Sequence, residues 1–150
     1  MPRITPCLWF DGQAEEAAQF YASIFKNSKI GAISPGPGGK ALTVQFELDG
    51  QPFLGLNGGP KFKFGEATSF VIHCKTQKKV DEYWAKLTEG GSESQCGWLK
   101  DKYGLSWQVV PTALPKLLKQ KDPKKAKKVM DALLKMKKID IPTLEKAAGG

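Results

Sequence analysis

The sequence predicts an α+β protein made of two similar β-α-β-β-β modules and a helical C-terminal extension. Three observations carry this. Short segments with alternating apolar and polar residues are joined by hairpin turn signals, as at Asp49-Gly50. A strand followed by an amphipathic helix occurs twice: adding 63 to the residue number lays Ala17 onto Val80, Phe20 onto Tyr83, Tyr21 onto Trp84 and Ile24 onto Leu87, and carries Leu8 onto Val71 and Trp9 onto Ile72. Past Pro111 the alternation stops and a lysine-rich helical pattern replaces it.

Taken in order, Ile4 to Phe10 is a short apolar run suited to a strand and stopped by Asp11-Gly12. Ala14, Ala17, Ala18, Tyr21, Ile24 and Phe25 then share one helix face, with Glu15 and Glu16 in the first turn, where the helix dipole favours acids. Lys29 to Ser34 reads as a strand and Pro35 to Gly39 as a loop. Leu42, Val44, Phe46 and Leu48 alternate with Thr43, Gln45 and Glu47, a strand with one apolar and one polar face, which turns into Phe53 to Leu56. After a linker at 58–66 the order repeats: strand Ala67 to Cys74, helix Lys78 to Thr88, and a closing hairpin around Lys100-Asp101-Lys102-Tyr103-Gly104. Asp122 and Pro123 start a helix with Ala126, Val129, Met130, Leu133 and Leu134 on one face, and a short helix begins near Pro142. The expected organisation is a single domain: module one over about 1–57, module two over about 67–111, extension over 112–150.

At 150 residues, with 41% hydrophobic and 25% charged residues, the chain can bury a core and is neither disordered nor fibrous in composition. No apolar run approaches the roughly 20 residues that span a bilayer, and MPRITPCLWFDG lacks the pattern of a signal peptide, so no membrane partner and a cytoplasmic location are expected. Cys7, Cys74 and Cys96 form no C-x-x-C and point to reduced thiols. Of the net charge of +8, little belongs to the body: through Pro111 twelve Lys and Arg face eleven acids, whereas from Thr112 on eleven Lys face four. An electrostatic partner is to be sought at the tail.

The segments LWFDGQAEEAAQFYASIF (8–25), FVIHC (70–74), VDEYWAKL (80–87), QCGWLKDKYGLSWQVVP (95–111) and VMDALLKMKKIDIPTLEKA (129–147) resemble the PhnB-like subgroup of the vicinal oxygen chelate superfamily, which includes glyoxalase I and bleomycin-resistance proteins. The subgroup often carries the label 3-demethylubiquinone-9 3-methyltransferase. The resemblance implies paired modules whose sheets curl around a pocket, usually in homodimers. It also implies that the four ligands of metal-using members correspond to positions near Pro6, within Leu54 to Leu56, at Ser69 and at Gln108. None of these is His or a carboxylate, so neither a metal nor another cofactor is expected.

The residues themselves limit the chemistry. No G-x-G-x-x-G joins strand to helix, which leaves the methyltransferase label without a methyl-donor motif of the Rossmann type, and Gly36 to Ala41 lacks the spacing of a P-loop. His73 is the sole histidine. It shares strand parity with Ser69, so if Ser69 and Gln108 face a pocket, His73 does too and can serve as a general base; a structural histidine is the simpler alternative. Glu47, on the polar stripe, lines a cavity if the sheet curls and is wet if it does not. Cys96 reads as a packed thiol, Asp101 as a turn residue, and Trp98 and Trp107 as core or pocket wall.

Residues 112–150 contain no Arg and no aromatic, so base readout and stacking are missing and nucleic acid is not an expected partner. The leading expectation is a homodimeric small-molecule-binding protein with a pocket lined by Leu8, Phe10, Ser69, His73, Trp107 and Gln108. An enzyme using His73 or Glu47 as acid or base is the alternative. Docking of the basic tail to an anionic partner is the third.

Overall fold

The computed structural model of the chain describes residues 4–149, which fold as two compact units, one ending at Phe64 and the other starting at Gly65. Residues 1–3 and 150, the outermost parts of the expected first module and extension, lie outside the described residues.

The first unit contains β1 (Cys7–Phe10), α1 (Ala14–Ile24), β2 (Lys29–Pro35), a 3₁₀ turn (Pro37–Gly39), β3 (Ala41–Leu48) and β4 (Gln51–Asn57). Its sheet has the order β1-β4-β3-β2, with β1 parallel to β4 and the other pairs antiparallel. Asp49 and Gly50 both adopt positive φ, which gives the two-residue turn the twist that antiparallel strands need. Ala14, Ala17, Ala18, Tyr21 and Ile24 are buried on the sheet side of α1. Small residues bring helix and sheet close: a Cβ on Gly55 would lie 3.2 Å from that of Ala14. Beyond them Tyr21, Phe46 and Phe53 stack in series, with ring centroids 6.4 and 5.4 Å apart. Asn57 ties three elements together, its Oδ1 accepting from the Ala14 N–H at the start of α1 and its Nδ2 donating to the Ala41 carbonyl at the start of β3, each at 2.9 Å.

The second unit repeats this topology. β5 (Ser69–Cys74), α2 (Gln77–Thr88), β6 (Ser92–Glu93), β7 (Trp98–Lys100) and β8 (Ser106–Pro111) form a sheet of order β5-β8-β7-β6, again with the first and last strands parallel. The paired modules are thus two four-stranded mixed sheets. In each, the last strand returns to pair with the first strand of its own module.

The turn from β7 to β8 is organised by Asp101, which is 2% exposed. Its Oδ1 accepts from the N–H groups of Tyr103 and Leu105 at 2.9 and 3.1 Å, and its Oδ2 accepts from Trp107 Nε1 at 2.8 Å. The main chain closes the same loop through Asp101 N–H to Leu105 O and Gly104 N–H to Asp101 O, with Gly104 at φ +85°.

Three helices follow: α3 (Ala113–Leu118), α4 (Pro123–Leu134) and α5 (Ile141–Gly149). Sequence periodicity misses α3 because Pro115 reads as a breaker, yet it lies in the first turn, where a missing N–H costs nothing. Asp122 caps α4 through the Lys124 N–H, as the D-P pair predicts. Leu114, Val129, Leu133, Ile139, Leu144 and Ala148 form a buried core.

This helical layer is anchored to the second unit. Gln77, the first residue of α2, donates to the Ile139 carbonyl at 3.0 Å and accepts from the Ile141 N–H at 2.7 Å. The N–H groups of Cys96 and Gly97 donate to Met136 and Lys137 carbonyls. Glycine is favoured at 97 on two counts, φ +86° and a hypothetical Cβ 2.7 Å from Ile139 Cδ1 and 3.0 Å from the Val109 carbonyl oxygen. Lys138 adds an ion pair to Asp81 at 2.9 Å. The hydrogen bond from Gln77, and then Lys138, hold the Asp81 carboxyl below its ordinary range.

Asp101→Ala removes the carboxylate that accepts from Tyr103, Leu105 and Trp107, and a loss of about 3 kcal/mol is expected in urea unfolding. A change below about 1 kcal/mol would show that the turn is held by its main chain alone.

Candidate functional site

Each sheet has one face covered by its helix and one open face, and strand parity decides which side chains reach the open face. In the first sheet Val44, Phe46, Leu48 and Phe53 are buried toward α1. Thr43, Gln45, Glu47 and Leu54 face the other way, as do Cys7 and Trp9 by register with Leu54 and Leu56. A groove of about 560 Å³ runs over this open face and includes Thr5, Lys29, Gly31, Gln45, Glu47 and Leu54 in its lining. Gly31 keeps it deep, since a Cβ there would come within 3.3 Å of the Gln45 carbonyl oxygen. Lys29 and Glu47 are cross-strand partners whose charged ends stand 3.9 Å apart. Such a partly exposed pair contributes about 1 kcal/mol or less and both ends stay available to a ligand.

In the second sheet the face away from α2 carries Ser69, Val71 and His73 on β5, Ser106, Gln108 and Val110 on β8, and Trp98 and Lys100 on β7; Ser106 is 1% exposed, and Val110 packs against the core of the C-terminal helices. Gln108 Nε2 reaches diagonally to donate to Ser69 Oγ at 3.0 Å. His73 is exposed, opposite Val110 in register. The Oγ of Ser106, the partner of Ser69 in the ladder, is buried and makes no hydrogen bond. Lys100 pairs with Glu66 at 2.7 Å, which lowers the Glu66 pKa.

The structure therefore brings Ser69 and Gln108 into contact and leaves His73 on their face, while Glu47 stands on the open face of the other unit. Leu8, Phe10 and Trp107 require correction. Leu8 and Phe10 are 5% and 3% exposed and share the helix-facing side with Gly55 and Asn57. Trp107 is 3% exposed and adjoins Gln108 in a strand, where neighbours point oppositely. The error in β1 comes from the repeat. The helices superpose with an offset of 63, from Ala14 to Gln77, but the strand ends Phe10 and Cys74 differ by 64, because three residues join β1 to α1 and only two join β5 to α2. A one-residue slip exchanges the faces of a strand, so Cys7 and Trp9, not Leu8 and Phe10, correspond to Val71 and His73.

The positions expected to hold a metal in the superfamily do not fit one. The Pro6 carbonyl is engaged by the Leu54 N–H at 2.9 Å, Leu54 to Leu56 are apolar, and Ser69 and Gln108 are neutral and hydrogen-bonded to each other. Among the described residues, no three His, Cys, Asp or Glu side chains are grouped to hold an ion. Neither Cys7 nor Cys74 is activated as a thiolate. Burial pushes Cys74 up to about 11, against a smaller opposing pull from Lys79, and it also raises Cys7.

Two β-α-β-β-β units of matching strand order are the construction of the vicinal oxygen chelate superfamily, and solved structures of that superfamily share this fold. Within it, the chain belongs to the 3-demethylubiquinone-9 3-methyltransferase family, which it matches over residues 2–110. The PhnB protein from Bacillus cereus is 33% identical with a TM-score of 0.69, covering 74% of this chain and 100% of that one. The fosfomycin resistance protein FosX from Listeria monocytogenes shares the fold at 15% identity and a TM-score of 0.61, covering 79% of this chain and 98% of its own. A glyoxylase/bleomycin resistance protein/dioxygenase domain from a Frankia species does so at 12% and 0.51, with 74% and 92% covered. No curated protein matches. The family match ends at residue 110, inside β8, so α3 to α5 lie beyond it.

With Ellman's reagent at about pH 8, Cys7 is expected to react well ahead of Cys74, which becomes reactive on unfolding. Equal rates in the native protein would show that Cys74 is not sealed.

Proposed function

We propose that the protein binds a small polar molecule on the open faces of its sheets, as a homodimer in a reducing compartment such as the cytoplasm, and that it does so without a bound metal. The observation that carries this is the groove of about 560 Å³ on the first sheet, within the range of about 300 to 1,000 Å³ usual for ligand sites. It offers a cation at Lys29, a carboxylate at Glu47, an amide at Gln45 and an apolar wall at Leu54. On the second sheet Ser69 and Gln108 supply a matching amide and hydroxyl. Leu8, Phe10 and Trp107 support these faces from behind. The family's description names a methyltransferase; residues 11–13 and 75–76, which join strand to helix, contain no glycine-rich turn to cradle a methyl donor of the Rossmann type.

An enzymatic reading is favoured by His73 alone, a histidine exposed on the same face as Ser69 and Gln108. In that reading His73 or Glu47 takes a proton from the bound molecule.

A fragment screen followed by amide chemical shifts tests the binding. Responses are expected to cluster at Gly31, Gln45, Glu47 and Leu54, and Gln45→Trp is expected to abolish them while shifting the melting temperature by no more than about 4 °C. Responses that avoid these residues would overturn the assignment. For the enzymatic reading, His73→Asn should retain binding and lose any turnover; unchanged turnover would exclude His73 as the base. Light scattering on an eluting sizing-column peak should give the mass of two chains, and a one-chain mass would rule out the dimer.

A further inference from the structure

The lysine-rich end of the chain lies outside the family match, and the structure shows it to be a built platform. Its own core, the Gln77 clamp, the Cys96 and Gly97 hydrogen bonds and the Lys138–Asp81 pair hold α4 and α5 in place on the second unit. A shallow groove of about 480 Å³ is lined by Lys128, Asp131, Ala132, Lys135 and Met136 of α4 and its C-terminal end, and by Thr143 of α5. Ala132 and Met136 give it an apolar floor, and the lysines stand along its rim. Lys124 lies one helical turn before Lys128 and continues the row. Around the helix, Met130 and Leu134 are 39% and 59% exposed.

We propose that this surface docks an acidic polypeptide segment, its carboxylates meeting Lys124, Lys128 and Lys135 and an apolar side chain entering the groove. The lysine row rises about 16 Å along the helix, the reach of about five extended residues. Charge complementarity selects an anionic partner, since eleven lysines outnumber four acids from residue 112 onward. Three features favour polypeptide over the other polyanions. Lysine presents a compact point charge suited to carboxylates spaced along a chain, and residues 112–150 lack the arginine forks that read phosphates and bases bidentately. Residues 112–150 contain no aromatic side chain to stack on bases or to seat at a lipid interface. The site is a shallow groove edged by lysines, whereas an interfacial helix meets a bilayer with a broad apolar face. Asp131, inside the groove, excludes a carboxylate from one position and so sets the register of the segment.

Fluorescence anisotropy of the full chain against a fluorescein-labelled peptide of alternating Glu and Leu tests this, with a Lys and Leu peptide, phosphatidylserine vesicles and single-stranded oligo-dT as comparison arms. The expected result is binding of the Glu and Leu peptide that weakens as salt is raised and falls about tenfold or more in the triple variant Lys124→Glu, Lys128→Glu, Lys135→Glu. The corresponding triple Lys→Gln variant, checked for an unchanged circular dichroism melt, should give an intermediate loss. No peptide binding, binding unchanged in both variants, or stronger binding to the vesicles or oligo-dT would overturn the proposal.

Discussion

The second unit depends on a buried carboxylate that sits among the N–H groups of its own turn. Asp101 is excluded from solvent, and burying a charge is tolerable only when donors surround it. Two main-chain N–H groups and the indole of Trp107 supply them. The indole couples local and tertiary order: Trp107 lies on the helix-facing side of β8, so shaping the turn also orients a large core side chain. Ser106 and Gln108, its neighbours, are thereby committed to the face away from α2. The polar character of that face follows from a turn that does not itself line it.

Much of the architecture was legible because periodicity reports burial directly. Val44, Phe46 and Leu48 against Gln45 and Glu47, or Ala14, Ala17 and Tyr21 at helical spacing, leave one solution each. What escaped was of two kinds. Helix α3 is short and contains Pro115, and a six-residue helix gives no periodic signal to outweigh a proline. The faces of β1 were misassigned because helix and strand repeat with different offsets, and a sequence overlay tuned to the helix cannot sense a loop that is one residue shorter. Strand end to strand end was the better alignment, and the turn signal at Asp11-Gly12 marked where to anchor it.

The residues of the candidate site were legible in part, by another route. Ser69 and Gln108 were placed by resemblance and meet in the structure, whereas Lys29 was missed. Its partnership with Glu47 depends on the register of β2 against β3, which shifts between Ile30 and Ile33, and no spacing in the sequence announces such a bulge. The lysine-rich end was legible as charge but not as shape. Its anchoring rests on Gln77 and Gly97, residues that are unremarkable until Ile139 is brought against them.

Gln77 and Ala14 begin equivalent helices, and the two copies have put this position to opposite uses. In the first, the backbone of Ala14 is secured inward by Asn57, from the strand that closes its own sheet. In the second, the side chain of Gln77 extends outward to grip the backbone on both sides of Asp140. The modules have thereby lost their interchangeability. A chain built from two copies of the first would keep the strand order, yet it would place a methyl group where the helical layer needs an amide, and the layer would have no clasp. The appendage thus makes one half of a duplicated protein distinct from the other, and it fixes which half comes last.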